Sequence, residues 1–223
     1  MSEWITLDTH HGPVRAWQVL PEGKPRAALV VIQEIFGVNA HMRGVAERFA
    51  AEGYAVLAPS FFDLVDGPES DPDALPYSPE GVKDGLERVN TLGMEKALEV
   101  VRAAATRLAP YGKVGTVGYC WGGSVALLAA MRLGLPSASY YGGRNVNFLD
   151  ETPKAPVIFH FGAQDRSIPP EAVQAHREKL PQMATYVYPA DHAFNREVGH
   201  AYDPDSAALA LQRTLDFFTE HLG

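Results

Sequence analysis

The stretch Val114-Gly115-Thr116-Val117-Gly118-Tyr119-Cys120-Trp121-Gly122-Gly123-Ser124 opens with a β-branched apolar run that breaks at glycines. It passes at once into Ser124-Val125-Ala126-Leu127-Leu128-Ala129-Ala130-Met131, whose composition suits a buried helix. The pattern predicts a strand, a very tight turn and a helix, with Cys120 at the turn. Gly118 and Gly122 stand two residues to either side, so the motif is G-x-C-x-G, the spacing of a nucleophile elbow with sulfur in place of oxygen. A nucleophile at such a turn needs strained backbone and neighbours without Cβ. At a helix N-terminus its side chain meets the positive end of the dipole, which favours an anion. The competing reading of a lone Cys is a small buried hydrophobe. Dinucleotide binding does not fit, because Gly115, Gly118, Gly122 and Gly123 lack the G-x-G-x-x-G spacing.

Outward from this stretch, the chain alternates strands and helices. Trp4 to Thr6 and Val14 to Leu20 predict a hairpin across Asp8-Thr9-His10-His11-Gly12-Pro13. The adjacent His10 and His11 read as solvated turn residues rather than metal ligands. Ala27 to Ile32 is continuously apolar, as in a strand buried on both faces of a parallel sheet. A helix is expected from Asn39 to Ala51, stopped by Gly53, then a strand from Tyr54 to Ala58. Residues 59 to 85 carry Pro59, Pro68, Pro72, Pro76 and Pro79 and the acids Asp63, Asp66, Glu69, Asp71, Asp73, Glu80 and Asp84 against the base Lys83, which predicts a long loop, either a lid or solvated padding. Thr91 to Leu108 reads as an amphipathic helix. Further strands are expected at Ala138 to Tyr141, Pro156 to Gly162 and Thr185 to Tyr188, and helices at Pro170 to Leu180 and Ser206 to His221. His160, inside an apolar strand, reads as a hydrogen-bonded core histidine. The sum is an α/β fold, a mostly parallel twisted sheet with helices on both faces, and at 223 residues a single domain over 1–223.

One cysteine excludes an intramolecular disulfide and suits a reducing compartment. A net charge of −8 argues against nucleic acid or anionic membrane as the partner. With neither a signal-type start nor a membrane-length apolar run, the cytoplasm is the expected location. A small-molecule substrate, no cofactor, no metal and a monomer complete the expectation.

Three polar groups, Cys120, Asp165 and His192, each follow an expected strand, in the chain order of an α/β-hydrolase triad. His192 would take the thiol proton, and Asp165 would fix the imidazole tautomer. Asp191 competes as the acid, but a residue next to His192 rarely reaches its ring. The backbone N–H groups of Trp121 and Ile35 are the expected oxyanion hole. Glu34, just past a buried strand, sits at the sheet edge where ligands bind in such folds, or else is a solvated carboxylate.

At these residues the sequence resembles the dienelactone hydrolase (carboxymethylenebutenolidase) family of α/β-hydrolases, from about Trp4 to Phe218. The resemblance rests on Gln33-Glu34-Ile35-Phe36-Gly37-Val38-Asn39, Gly118-Tyr119-Cys120-Trp121-Gly122-Gly123, Tyr140-Tyr141-Gly142, Gly162-Ala163-Gln164-Asp165 and His192-Ala193-Phe194. It implies a Cys120, Asp165 and His192 triad, and a Glu34 that contacts the resting thiol until substrate displaces it. It also implies substrate contacts from Arg196, Tyr140 and Phe36, with Arg196 holding a substrate carboxylate. The family's second substrate-binding arginine has no counterpart in residues 75 to 85, where Lys83 is the only base. Thiolates leave tetrahedral intermediates more readily than alkoxides do, so the expected substrate is an activated small ester or enol lactone whose leaving group is a stabilised enolate. A general carboxylesterase is the alternative; a non-catalytic binding protein or a redox-sensing Cys120 without a resolving cysteine is further away.

Overall fold

The computed structural model describes residues 1–71 and 75–223. Pro72 and Asp73, part of the expected loop, lie outside the described residues. The chain forms two compact units, Met1–Thr116 with Leu222 and Val117–His221 with Gly223.

In the first unit, β1 (Ser2–Thr9) and β2 (Gly12–Val19) form the expected antiparallel hairpin, with His10 and His11 at its turn. β2 pairs antiparallel with β4 (Tyr54–Pro59), and β4 pairs parallel with β3 (Ala27–Ile32), giving the order β1-β2-β4-β3. All six residues of β3 and all six of β4 are buried, which is why neither shows an alternating pattern. Between them, α1 (Ala40–Ala51) starts where Asn39 Oδ1 accepts the backbone N–H of Met42 at 3.1 Å.

The expected loop over 59–85 is partly helical. A short α2 (Asp63–Asp66) follows β4, and α3 runs from Pro79 to Leu108, interrupted only at Gly93 (φ 74°, ψ 160°). The proline count misled because Pro79 occupies the first helical turn, where its missing N–H costs nothing, and Ser78 caps the helix by accepting from Gly81 N. Two of the acids are structural. Asp63 is buried and takes a two-pronged contact from Arg15, Nε at 2.9 Å and an NH2 nitrogen at 2.7 Å, while Asp66 pairs with Arg88.

β5 (Val114–Tyr119) begins in the first unit and ends in the second. It leads straight into α4 (Trp121–Leu128), all eight residues of which are buried, so the helix has no polar face to reveal its period. A π-helical turn, Ala129–Leu133, extends it. The second unit then adds β6 (Ser137–Tyr140), β7 (Val157–Gly162), α5 (Pro170–Lys179), β8 (Thr185–Tyr188) and α6 (Pro204–Leu222). Its strands run in the order β5-β6-β7-β8, and β6, β7 and β8 are parallel. Strand, helix and parallel strand alternate as in α/β-hydrolases, with antiparallel pairing confined to the β1-β2-β4 end. Among the described residues no helix is long and apolar enough to cross a membrane.

Candidate active site

Cys120 stands between the end of β5 and the first residue of α4, at φ 55° and ψ −119°. Only three non-glycine residues have positive φ among those described, Cys120, Tyr141 (φ 38°) and Ala193 (φ 60°). Each such conformation costs about 1–3 kcal/mol and persists only where its surroundings enforce it. Here the three lie at the thiol, beside the strand that holds it, and next to His192. The turn is possible because a Cβ on Gly118 would sit 1.9 Å from the carbonyl oxygen of Gly122. The Cys120 N–H donates to the carbonyl of Tyr140 at 3.0 Å, and the Cys120 carbonyl accepts from Gly123 N at 3.0 Å. Both backbone groups of Cys120 are thereby fixed. Trp121 is the first residue of α4, so its N–H has no acceptor within the helix and points from the helix N-terminus.

Asp165 follows β7 and His192 follows β8, as the sequence pattern requires. Their loops are pinned to one another: Ala163 N donates to Tyr188 O at 2.7 Å and Gln164 N to Ala190 O at 2.9 Å. This approach needs Gly162, where a Cβ would fall 2.4 Å from Ala190 O. His192 Nδ1 donates to Asp165 Oδ2 at 2.7 Å, while Asp165 Oδ1 accepts from Ser167 N at 2.8 Å. The Asp165 side chain has no exposure and His192 keeps 28%, so the acid is sealed behind a ring that a substrate can still reach. Asp191 turns its Oδ1 to the backbone N–H of His192 at 2.6 Å, away from the imidazole role.

With Nδ1 committed to Asp165, Nε2 is the ring atom left for another partner. Burial disfavours the His192 imidazolium. The negative charge of a Cys120 thiolate, the hydrogen bonds with Asp165 and Cys120, and the Asp165 charge outweigh it and raise the pKa well above the ordinary histidine value. The half-buried Cys120 thus acts on the charge of His192, whose ring is held by Asp165.

The other expected residues are placed as follows. Tyr140 is fully buried, with its hydroxyl 2.8 Å from Thr214 Oγ1 and its ring 4.4 Å from that of His160. A side chain spent this way does not meet substrate, so Tyr140 serves Cys120 through its backbone carbonyl. The aromatic contact of the site falls instead to Tyr141, whose ring centroid is 5.0 Å from that of His192, and to Phe194, 5.4 Å from Tyr141. Tyr141 lies beside Tyr140 in the same motif, and nothing in the sequence distinguishes the two roles. Arg196 is partly exposed and donates through Nε to Val198 O at 3.0 Å. Glu34, Ile35 and Phe36 belong to the first unit, just after β3, and all are buried; the Phe36 ring is 4.7 Å from Tyr77. Among the described residues no group of three His, Cys, Asp or Glu could hold a metal ion.

A cysteine at a strand-turn-helix elbow, followed in chain order by an aspartate and a histidine on loops after later strands, is the arrangement of an α/β-hydrolase. The dienelactone hydrolase family model matches residues 14–222, and the chain belongs to this family. It is similar to the carboxymethylenebutenolidase of Pseudomonas putida, 33% identical over 97% of this chain and 96% of that protein. The same enzyme name, identity and coverage apply to a relative from Pseudomonas knackmussii. A crystal structure from Klebsiella pneumoniae superposes with a TM-score of 0.87 at 27% identity, covering 99% of this chain and 98% of that one. A dienelactone hydrolase from Anabaena variabilis shares the fold, with a TM-score of 0.72 at 17% identity over 100% and 99%. The protein is a carboxylic ester hydrolase of the dienelactone hydrolase type, acting on small esters or lactones.

Proposed function

We propose that the protein hydrolyses an activated small ester or enol lactone through a thioester on Cys120, with His192 as the base and Asp165 as its orienting acid. The observation that carries this reading is the 2.7 Å contact between Asp165 Oδ2 and His192 Nδ1, supported by the influence of Cys120 on the charge of that imidazole. In the first step the Cys120 sulfur bonds to the substrate carbonyl carbon, and the carbonyl oxygen gathers negative charge beside the Trp121 N–H, with the Ile35 N–H as the second donor by family resemblance. Collapse breaks the bond to the leaving oxygen, which departs as an enolate or aryl oxide and takes the His192 proton. Water then gives a proton to His192 and attacks the thioester, the thiolate leaves, and the free acid is released. Family resemblance further assigns Glu34 to the resting thiol, Phe36 to the substrate and Arg196 to a substrate carboxylate, within a single catalytic domain spanning both units.

One feature argues for no more than one carboxylate on the substrate. Residues 75 to 85 hold no arginine, and Arg88, three residues further along α3, has its Nε on Asp66. A lactone or aryl ester with one acidic group, or none, fits this charge balance better than a dicarboxylate. The same observation supports a general carboxylesterase as the second reading.

Assay of Cys120→Ala and Cys120→Ser with an enol lactone and an aryl ester tests the mechanism. The Ala variant is expected to lose all but background turnover. Full activity in it would eliminate a thioester route.

A further inference from the structure

Behind the triad, α6 and the three strands β6, β7 and β8 share a chain of hydrogen bonds that the reaction itself does not use. Arg213 NH1 donates to the Tyr188 hydroxyl at 3.2 Å, and this hydroxyl lies 2.8 Å from His160 Nδ1. His160 Nε2 is 3.1 Å from Thr214 Oγ1, which is 2.8 Å from the Tyr140 hydroxyl and 2.9 Å from the carbonyl of Ala210. His160 and Thr214 have no solvent exposure.

The donors and acceptors fit together in one way that uses every hydrogen. A guanidinium only donates, so Tyr188 accepts from Arg213 and turns its own hydrogen to His160 Nδ1. The neutral ring then carries its proton on Nε2 and donates to Thr214. Thr214 accepts from both His160 and Tyr140 and passes its single hydrogen to Ala210, whose carbonyl only accepts. Burial, then the charge of Arg213, pushes His160 down to about 3, so the ring stays neutral throughout the working range.

The far end of this chain is the residue that holds the nucleophile. The Tyr140 carbonyl accepts the Cys120 N–H at 3.0 Å, and the next residue, Tyr141, donates its N–H to His160 O at 2.8 Å and lays its ring against His192. Tyr140-Tyr141 therefore touches both Cys120 and His192, and it is fixed by His160 through the backbone and by Thr214 through a side chain. We infer that Thr214 and His160 are positioning residues for the hydrolysis, setting the backbone of the Cys120 turn and the ring beneath His192 from the far side of the strands. The inference rests on Cys120 being the nucleophile, as proposed above.

Thr214→Val keeps the shape and removes the acceptor for two buried donors; Thr214→Ser restores it. With an aryl ester as probe, Thr214→Val is expected to lower kcat about tenfold with KM within about twofold, and to slow alkylation of Cys120 by iodoacetamide in parallel, because small misplacements of reacting groups carry costs of this size. Thr214→Ser should return both close to wild type. A purely structural role would lower the melting temperature of Thr214→Val but leave kcat and the alkylation rate of the folded protein unchanged, which overturns the inference. So would a Ser variant as slow as the Val variant. Should Thr214→Val not fold, Tyr188→Phe, which deprives His160 Nδ1 of its donor, must reduce kcat and alkylation in the same sense, and unaltered rates there refute the proposal. Cys120→Ala run alongside separates the two readings: its full activity would sink the cysteine mechanism, whereas its inactivity with an unaffected Thr214→Val sinks only the positioning role.

Discussion

Gly118 and Gly122 leave no room for a side chain between them: a Cβ on Gly118 would stand 1.9 Å from the Gly122 carbonyl oxygen and 2.3 Å from its carbon. The obstacle is main chain, which no rotamer change can move. Gly118→Ala is therefore expected at or beyond the upper end of overpacking costs, about 3 kcal/mol. Urea unfolding should show that loss, and any folded fraction should have little esterase activity because the Cys120 turn must open. A stability within about 0.5 kcal/mol of wild type would show that the elbow is not the tight feature described.

The two acids near His192 make opposite predictions. Asp165 Oδ2 holds the ring through Nδ1, whereas Asp191 Oδ1 holds only the backbone N–H of His192. Asp165→Asn is expected to reduce kcat by up to about 10⁴-fold by favouring the wrong tautomer, and Asp191→Asn to change it by far less. Steady-state kinetics on one aryl ester decide between them, and a larger loss at Asp191 would reverse the assignment.

Acid should weaken the fold through His160. Its folded-state pKa is pushed down to about 3 by burial and by Arg213, against an ordinary value of 6.5. Between these values the unfolded chain binds a proton that the folded chain refuses, so unfolding free energy rises with pH. The contribution is complete above about 6.5 and is lost toward 3, at up to about 1.4 kcal/mol per pH unit. His176, depressed by burial despite its contact with the Ala172 carbonyl, acts in the same sense. Urea midpoints between pH 5 and 6.5, above the main carboxylate range, should fall with acidity and do so less steeply in His160→Gln. An equal slope in the variant would contradict this account.

The carboxylate-holding role proposed for Arg196 predicts a difference between substrate classes. A charge-assisted hydrogen bond to a substrate carboxylate is worth about 1.5–3 kcal/mol, so Arg196→Ala should raise KM for a carboxylated lactone about 10- to 100-fold. A neutral aryl ester should be unaffected. Equal effects on both substrates, or on neither, would remove carboxylate recognition from this residue.

Much of this protein was legible along the chain because the relevant rules are local. Gly118-Tyr119-Cys120-Trp121-Gly122 between an apolar strand and an apolar helix specifies a tight turn by sterics alone, and the order Cys120, Asp165, His192 follows from strands ending where loops begin. The unbroken apolar run of β3 announced burial on both faces. Pro79 was misleading because a proline that ends one element can begin another, and only the Ser78 cap decides which. Tertiary structure alone decided that Tyr141 rather than Tyr140 faces the imidazole, and that Thr214 and His160 are joined to Tyr140 by hydrogen bonds. The physical reason is that the identity of a hydrogen-bond partner depends on distances of a few ångströms between segments far apart in sequence, which no local preference for helix, strand or turn contains.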